Sequence, residues 1–172
     1  MGRYEGLKGL VLGVANDHSI AWSIAKELLD GGAEIGFSHL PDKPDDQRQR
    51  NRRRVALLTD PEPNAKFLVP MDVSSDDQIA AVMEQAKAAF GTLDFLVHSI
   101  AYAPMEDLKG ETTNCSREGF RLAMETSAYS LLAVGRLRLA GGEQRPVGLP
   151  LHGLGRVVPA TPTFWLVALV CR

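Results

Sequence analysis

Three places in the chain could bind or move charge, and each follows a short apolar run. The first is Gly13-Val14-Ala15-Asn16-Asp17-His18-Ser19-Ile20-Ala21, between an apolar run and an amphipathic segment. A glycine turn lets backbone approach a diphosphate, and the helix start beyond it offers free N–H groups and partial positive charge. The full G-x-G-x-x-G pattern is absent, because only Gly13 is a glycine, so a plain strand-to-helix loop is the competing reading. The second is Met71-Asp72-Val73, where Asp72 either accepts a hydrogen bond from a ligand or forms a turn or helix cap. The third is His98-Ser99-Ile100-Ala101-Tyr102-Ala103-Pro104, with His98 read as structural.

Other chemistry is excluded or discounted. Tyr102 and Lys109 have the spacing of a Tyr-x6-Lys pair, but Pro104 between them keeps the two off a common helix face. Cys115 and Cys171 have no metal-ligand spacing and read as reduced thiols, so no metal site is expected.

These places need a scaffold of alternating strands and helices. Gly9–Val14 is apolar throughout, as a strand buried on both faces must be. From Ser19 the period changes, putting Ile20, Ala21, Ile24, Ala25, Leu28 and Leu29 on one helical face before Gly31-Gly32. Strands are expected at 33–38, at 66–73 with an early end or bend at Pro70, and at 93–100. Ser75-Asp76-Asp77-Gln78 reads as a capping box that opens a helix with Ile79, Val82, Met83, Ala86 and Phe90 inward, stopping at Gly91. A further helix is expected from about Ser116 to Val134. The charged run from Asp45 to Arg54 is a solvated helix face or a cationic rim near a phosphate. Such alternation implies a parallel sheet with right-handed crossovers.

The chain has 172 residues with a formal net charge of -2, enough for one domain and without a global pull towards nucleic acid or membrane. The start, Met1-Gly2-Arg3-Tyr4-Glu5, lacks a signal-peptide pattern, and Gly6 breaks the myristoylation motif. The late apolar run 164–171 is far short of the roughly 20 residues a membrane span needs. A soluble cytoplasmic protein is expected.

The composition changes after Val134. Residues 135–172 hold 6 Gly, 4 Pro and 5 Arg but no Lys, Asp, Asn or Ile, and Glu143 is their single acid. Short strands are conceivable at 156–160 and 163–171.

The turn from Gly13 to Ala21 resembles the modified glycine motif of bacterial enoyl-acyl-carrier-protein reductases, a divergent branch of the short-chain dehydrogenase/reductase family. The resemblance continues through Met71-Asp72-Val73, Leu93 to Pro104, Ser116-Arg117-Glu118-Gly119-Phe120 and Ser127-Ala128-Tyr129-Ser130, covering about residues 1–134. It implies an α/β fold, a Rossmann-like doubly wound parallel sheet truncated to its N-terminal half, followed by an atypical tail. By the same resemblance, Gly13, Ser19 and Ile20 lie against the pyrophosphate and ribose side of a cofactor. Asp72 and Val73 take its adenine, Ile100 borders the ribose and nicotinamide, and Ala103 borders the acyl substrate. At the adenine-ribose position the chain has Leu40, which cannot hydrogen-bond through its side chain. NADH is expected from family precedent, with NADPH left open by Arg48, Arg50 and Arg52. Implied partners are an enoyl thioester on acyl carrier protein and further copies in a homotetramer.

The family's catalytic Tyr-x6-Lys lies on the helix after the fifth strand, beyond the matching segments. This chain has no Tyr after Tyr129 and no Lys after Lys109, so no residue is assigned as catalytic. The lost match and the composition change together suggest a change of reading frame near Val134 or Gly135; a short unrelated extension is the alternative. Either way the domain expected at 1–134 is incomplete. The tail 135–172 would be poorly ordered or non-native, and the sheet edge beside the fourth strand would stand open to aggregation.

Overall fold

A computed structural model describes residues 2–139 and 168–171, with side chains for residues 2–136. Four parallel strands form its centre: β1 (Lys8–Leu12), β2 (Glu34–His39), β3 (Ala65–Pro70) and β4 (Phe95–His98). A fifth, β5 (Ala168–Cys171), completes the order β3-β2-β1-β4-β5. Helices α1 (Ile20–Asp30), α2 (Arg50–Thr59) and α3 (Asp76–Phe90) connect the parallel strands. After β4 come two 3-10 turns, Met105–Leu108 and Thr112–Asn114. The next helical run is α4 (Arg117–Met124), a π-helical turn at Glu125–Tyr129, and α5 (Ser130–Leu139).

The strands are apolar because both faces of the sheet are covered. Leu10, Leu12 and Leu96 turn to α3 and α5, packing with Ile79, Val82, Ala86, Phe90, Leu131 and Val134. Val11, Phe95 and Val97 turn the other way, towards Ala21, Ala25 and Leu29 of α1 and Val55 of α2. Alternation along each strand thus feeds two cores, which is the doubly wound arrangement expected.

Several boundaries differ from the sequence expectation for local reasons. β3 ends at Pro70, whose missing N–H falls on the open side of this edge strand, since Met71 N next to it still donates to His39 O of β2 at 2.9 Å. The Ser75 hydroxyl caps α3 by accepting from Gln78 N at 3.4 Å. The reciprocal half of the capping box is absent, because Gln78 Oε1 accepts instead from Asp72 N at 2.8 Å. The helix expected to end at Val134 runs on to Leu139, since Leu137, Arg138 and Leu139 are good helix formers and one glycine is tolerated. Only Arg50–Arg54 of the charged run enter a helix, α2, which buries only Val55 and Thr59.

The edge beside β4 is the main correction. It is not open: β5 pairs with it antiparallel, Phe95 opposite Cys171 and His98 opposite Ala168, so backbone groups of β4 find partners in the tail. β5 falls inside the strand conceived at 163–171. The one at 156–160 falls outside the described residues, as does most of the tail expected to be poorly ordered or non-native, whose described parts lie in α5 and β5.

Candidate functional site

β1 to β4 run parallel, so the segments that leave their carboxyl ends emerge on one edge of the sheet. Gly13, Leu40, Asp72 with Val73, and Ile100 all lie there. The strand order reverses between β1 and β4, the crevice in which open α/β sheets bind ligands.

Gly13 follows β1 with φ of 99°, a conformation that disfavours any side chain. A Cβ there would overlap the Ser99 carbonyl and approach Ile100 Cγ1 to 3.2 Å. Ser99 N donates to Leu12 O at 3.0 Å, so the turn after β1 and the segment after β4 touch backbone to backbone. Glycine is what permits that approach.

Beyond Gly13, two amides converge on one oxygen. Ala15 N and Asn16 N donate to Ser19 Oγ at 3.0 and 2.9 Å, while the Ser19 hydroxyl donates to Asn16 O at 2.6 Å. Asn16 Oδ1 in turn accepts from His18 N at 2.9 Å. Ser19 therefore makes no side-chain cap on α1, whose first-turn amides keep their partial positive charge beside this nest. Ile20, the first helical residue, is 44% exposed at that helix end. The uncapped N-terminus of α1, set beside the close Gly13–Ser99 approach, suits a diphosphate.

Asp72 forms the turn that was one of its two expected roles. Its Oδ1 accepts from Ser74 N at 2.9 Å and from Ser74 Oγ at 2.7 Å, forming a turn. Its Oδ2 has no hydrogen-bond partner among the described residues, so one oxygen remains for a donor such as an adenine amino group. Val73 is half-buried against the α3 core.

At the end of β2, Leu40 is 62% exposed and offers only apolar contact. Two residues on, the Asp42 carboxylate accepts from Asn51 N at 2.6 Å and Arg52 N at 3.1 Å, so it already occupies the N-terminus of α2. Arg50 is bonded to Asp46 at 2.8 Å and holds that carboxyl below the usual carboxylate range. The side chains of Arg48 and Arg52 are exposed and make no bond among the described residues.

After β4, Ile100 packs on the α3 core and Ala103 is half-buried in the loop that follows. Tyr102 and Lys109 are separated by Pro104 and a 3-10 turn, and Lys109 Nζ bonds Glu106, so they do not form one helical pair. Three features escaped the sequence reading. The Ser19 hydroxyl turns back on its own loop, for which Asn and Ser three residues apart were a usable signal. Ser127 and Ser130 bond Tyr102 and His98, contacts between distant segments that no local pattern announces.

Comparison with known proteins agrees with this geometry. A family described as enoyl-(acyl carrier protein) reductase matches residues 13–141. The enoyl-[acyl-carrier-protein] reductase [NADH] of Aquifex aeolicus (strain VF5) is 39% identical over 162 residues, 92% of this chain and 57% of its own length. A crystal structure of such a reductase from the same organism superposes with a TM-score of 0.73 over 83% of this chain and 59% of that one. The Bacillus cereus enzyme, crystallised with NADP+ and indole naphthyridinone, is 38% identical with a TM-score of 0.71, over 82% of this chain and 52% of that one. The chain thus spans little more than half the length of these relatives. Within that span backbone and sequence agree, and the chain belongs to the enoyl-(acyl carrier protein) reductase family.

Proposed function

We propose that this chain is the dinucleotide-binding part of an NADH-dependent enoyl-acyl-carrier-protein reductase of type II fatty-acid synthesis. The observation that carries the reading is the start of α1, left without a side-chain cap at the end of the turn that Gly13 opens after β1. Gly13, Ser19 and Ile20 take the diphosphate and ribose side, and Leu40 covers the adenosine ribose. Asp72 accepts from adenine beside Val73, Ile100 borders the nicotinamide, and Ala103 borders the acyl group. NADH is favoured over NADPH because the Asp42 acid already fills the helix end that could receive a 2′-phosphate.

When bound, the cofactor supplies a hydride for the β-carbon of a trans-2-enoyl thioester; the chain's own residues hold and orient it. Partners on this reading are the thioester on acyl carrier protein and further copies in a cytoplasmic homotetramer. Among the described residues, no helix is long and apolar enough to cross a membrane.

A second reading is a non-catalytic nucleotide-binding fragment. It is favoured by the lack of any Tyr after Tyr129 and any Lys after Lys109. Titration with NADH, followed by a turnover assay with a crotonyl thioester, separates the two. Uptake with oxidation supports the reductase, uptake without it the fragment, and no uptake by folded protein defeats both. Asp72→Asn is expected to weaken NADH about tenfold, equivalent to about 1.4 kcal/mol, with little change in melting temperature. The asparagine oxygen can still serve Ser74, while its amide opposes the adenine amino group.

The domain boundary at 134 and the altered reading frame belong to the same proposal. The gene's nucleotide sequence tests them: an alternative frame encoding Tyr-x6-Lys after codon 134 is expected, and its absence from both alternative frames ends the idea.

A further inference from the structure

The segment between β4 and α4, residues 99–116, crosses the ligand-facing edge without a strand to hold it. Its far end is fixed where Asp107 accepts from Ser116 N at 2.7 Å and from Ser116 Oγ at 3.1 Å. At its near end, beyond the Ser99 N–Leu12 O bond and the packing of Ile100, one side chain holds the backbone. Tyr102 N donates to Ser127 Oγ at 3.1 Å, and the same hydroxyl lies 3.4 Å from Tyr102 O. Among the described residues, these are the only side-chain hydrogen bonds that reach residues 100–104. The Tyr102 ring is 55% exposed, so its packing is no substitute.

Ser127 sits in the middle of the π-helical turn Glu125–Tyr129. The residue after that turn, Ser130, donates to Thr126 O at 2.6 Å and meets His98 Nε2 at 2.8 Å, fixing the turn to the end of β4. A π turn widens a helix locally, and such insertions recur where a helix must aim a side chain at a functional site. Here the widened turn delivers one hydroxyl to the β4 strand and another to the peptide two residues beyond Ile100.

We propose that Ser127 is a positioning residue, clamping the Tyr102 peptide so that Ile100 and Ala103 keep their places at the nicotinamide and acyl end of the site. This rests on the dinucleotide reading above. The clamp acts on one end of the ligand only, since Ser19 and Asp72 are held by bonds that do not involve it and Gly13 lies against Ser99, which bonds Leu12. Loss of the hydroxyl therefore disturbs the nicotinamide half and spares the adenosine diphosphate half.

The test compares the full chain with Ser127→Ala and Ser127→Thr. Amide hydrogen exchange is read at Tyr102, and dissociation constants are measured for NADH and for ADP-ribose, which lacks the nicotinamide. In Ser127→Ala, exchange at Tyr102 is expected to accelerate about tenfold and NADH to bind about tenfold more weakly, with ADP-ribose changed less than about twofold. Ser127→Thr, which keeps a hydroxyl, restores all three values. Unchanged exchange at Tyr102, equal weakening of both nucleotides, or NADH affinity indifferent to the substitution while ADP-ribose still binds overturns this role alone. Failure of every protein to bind either nucleotide overturns the dinucleotide reading, and this role with it.

Discussion

Alanine at position 13 is expected to cost the chain about 2–5 kcal/mol of folding stability and to abolish NADH uptake. Two separate penalties add. The backbone there has φ of 99°, and holding an L side chain in left-handed space costs roughly 1–2 kcal/mol. The methyl would also overlap the Ser99 carbonyl, and forcing a packed contact apart costs roughly 1–3 kcal/mol more. Gly110 separates the two effects. It has φ of 85° but open space around its Cβ position, so Gly110→Ala should show the backbone penalty alone. Urea denaturation of both variants measures the difference. Equal losses would mean that Ser99 yields freely, and the close approach of β1 and β4 would not matter. The functional loss follows because Ser99 and Ile100 cannot move away from Gly13 without opening the crevice between β1 and β4.

Much of this arrangement is written locally and so is legible in the sequence. Gly9–Val14 reads as a strand because parallel strands need apolar residues on both faces, and Leu10, Val11 and Leu12 are indeed fully buried. Pro70 stands at the end of β3 on the open edge of the sheet, where a residue without an N–H costs no bond, and Ser75 caps α3 through its own hydroxyl. Asp72 was legible only as a choice between turn former and ligand acceptor, and the turn takes one of its oxygens. What depends on distant partners was not legible. Gln78 reaches Asp72 rather than the cap of its own helix, because the turn before α3 brings that amide within range. An apolar run at 163–171 suggests a strand, but its antiparallel place on β4 is set by a free edge elsewhere in the fold. The π turn at Glu125–Tyr129 has no composition signal; it is known by its wider spacing and by the hydroxyls it directs at β4.

Acid should weaken the fold through His98, and the direction follows from one hydroxyl proton. Ser130 Oγ gives its hydrogen to Thr126 O, so towards His98 Nε2 it can only accept. The neutral imidazole therefore carries its proton on Nε2, leaving Nδ1 as a bare lone pair. That atom is buried without a hydrogen-bond partner, and the residue is fully buried. A second proton would have to sit on Nδ1, charged and buried, where the residue's own backbone offsets only part of the cost. Burial accordingly lowers the His98 pKa from 6.5 to about 4. Between those values the unfolded chain binds a proton that the folded chain refuses, so stability falls as pH drops from about 6.5 and the loss is complete below about 4. The gap corresponds to about 3 kcal/mol. Denaturant melts at pH 7 and pH 4.5 should reveal most of that loss. His98→Gln keeps a donor for Ser130 but cannot be protonated, so its stability should change far less over the same interval. If both proteins lose stability in parallel, the acid sensitivity arises from other groups. It would then follow that the β4 histidine tolerates charge despite its burial.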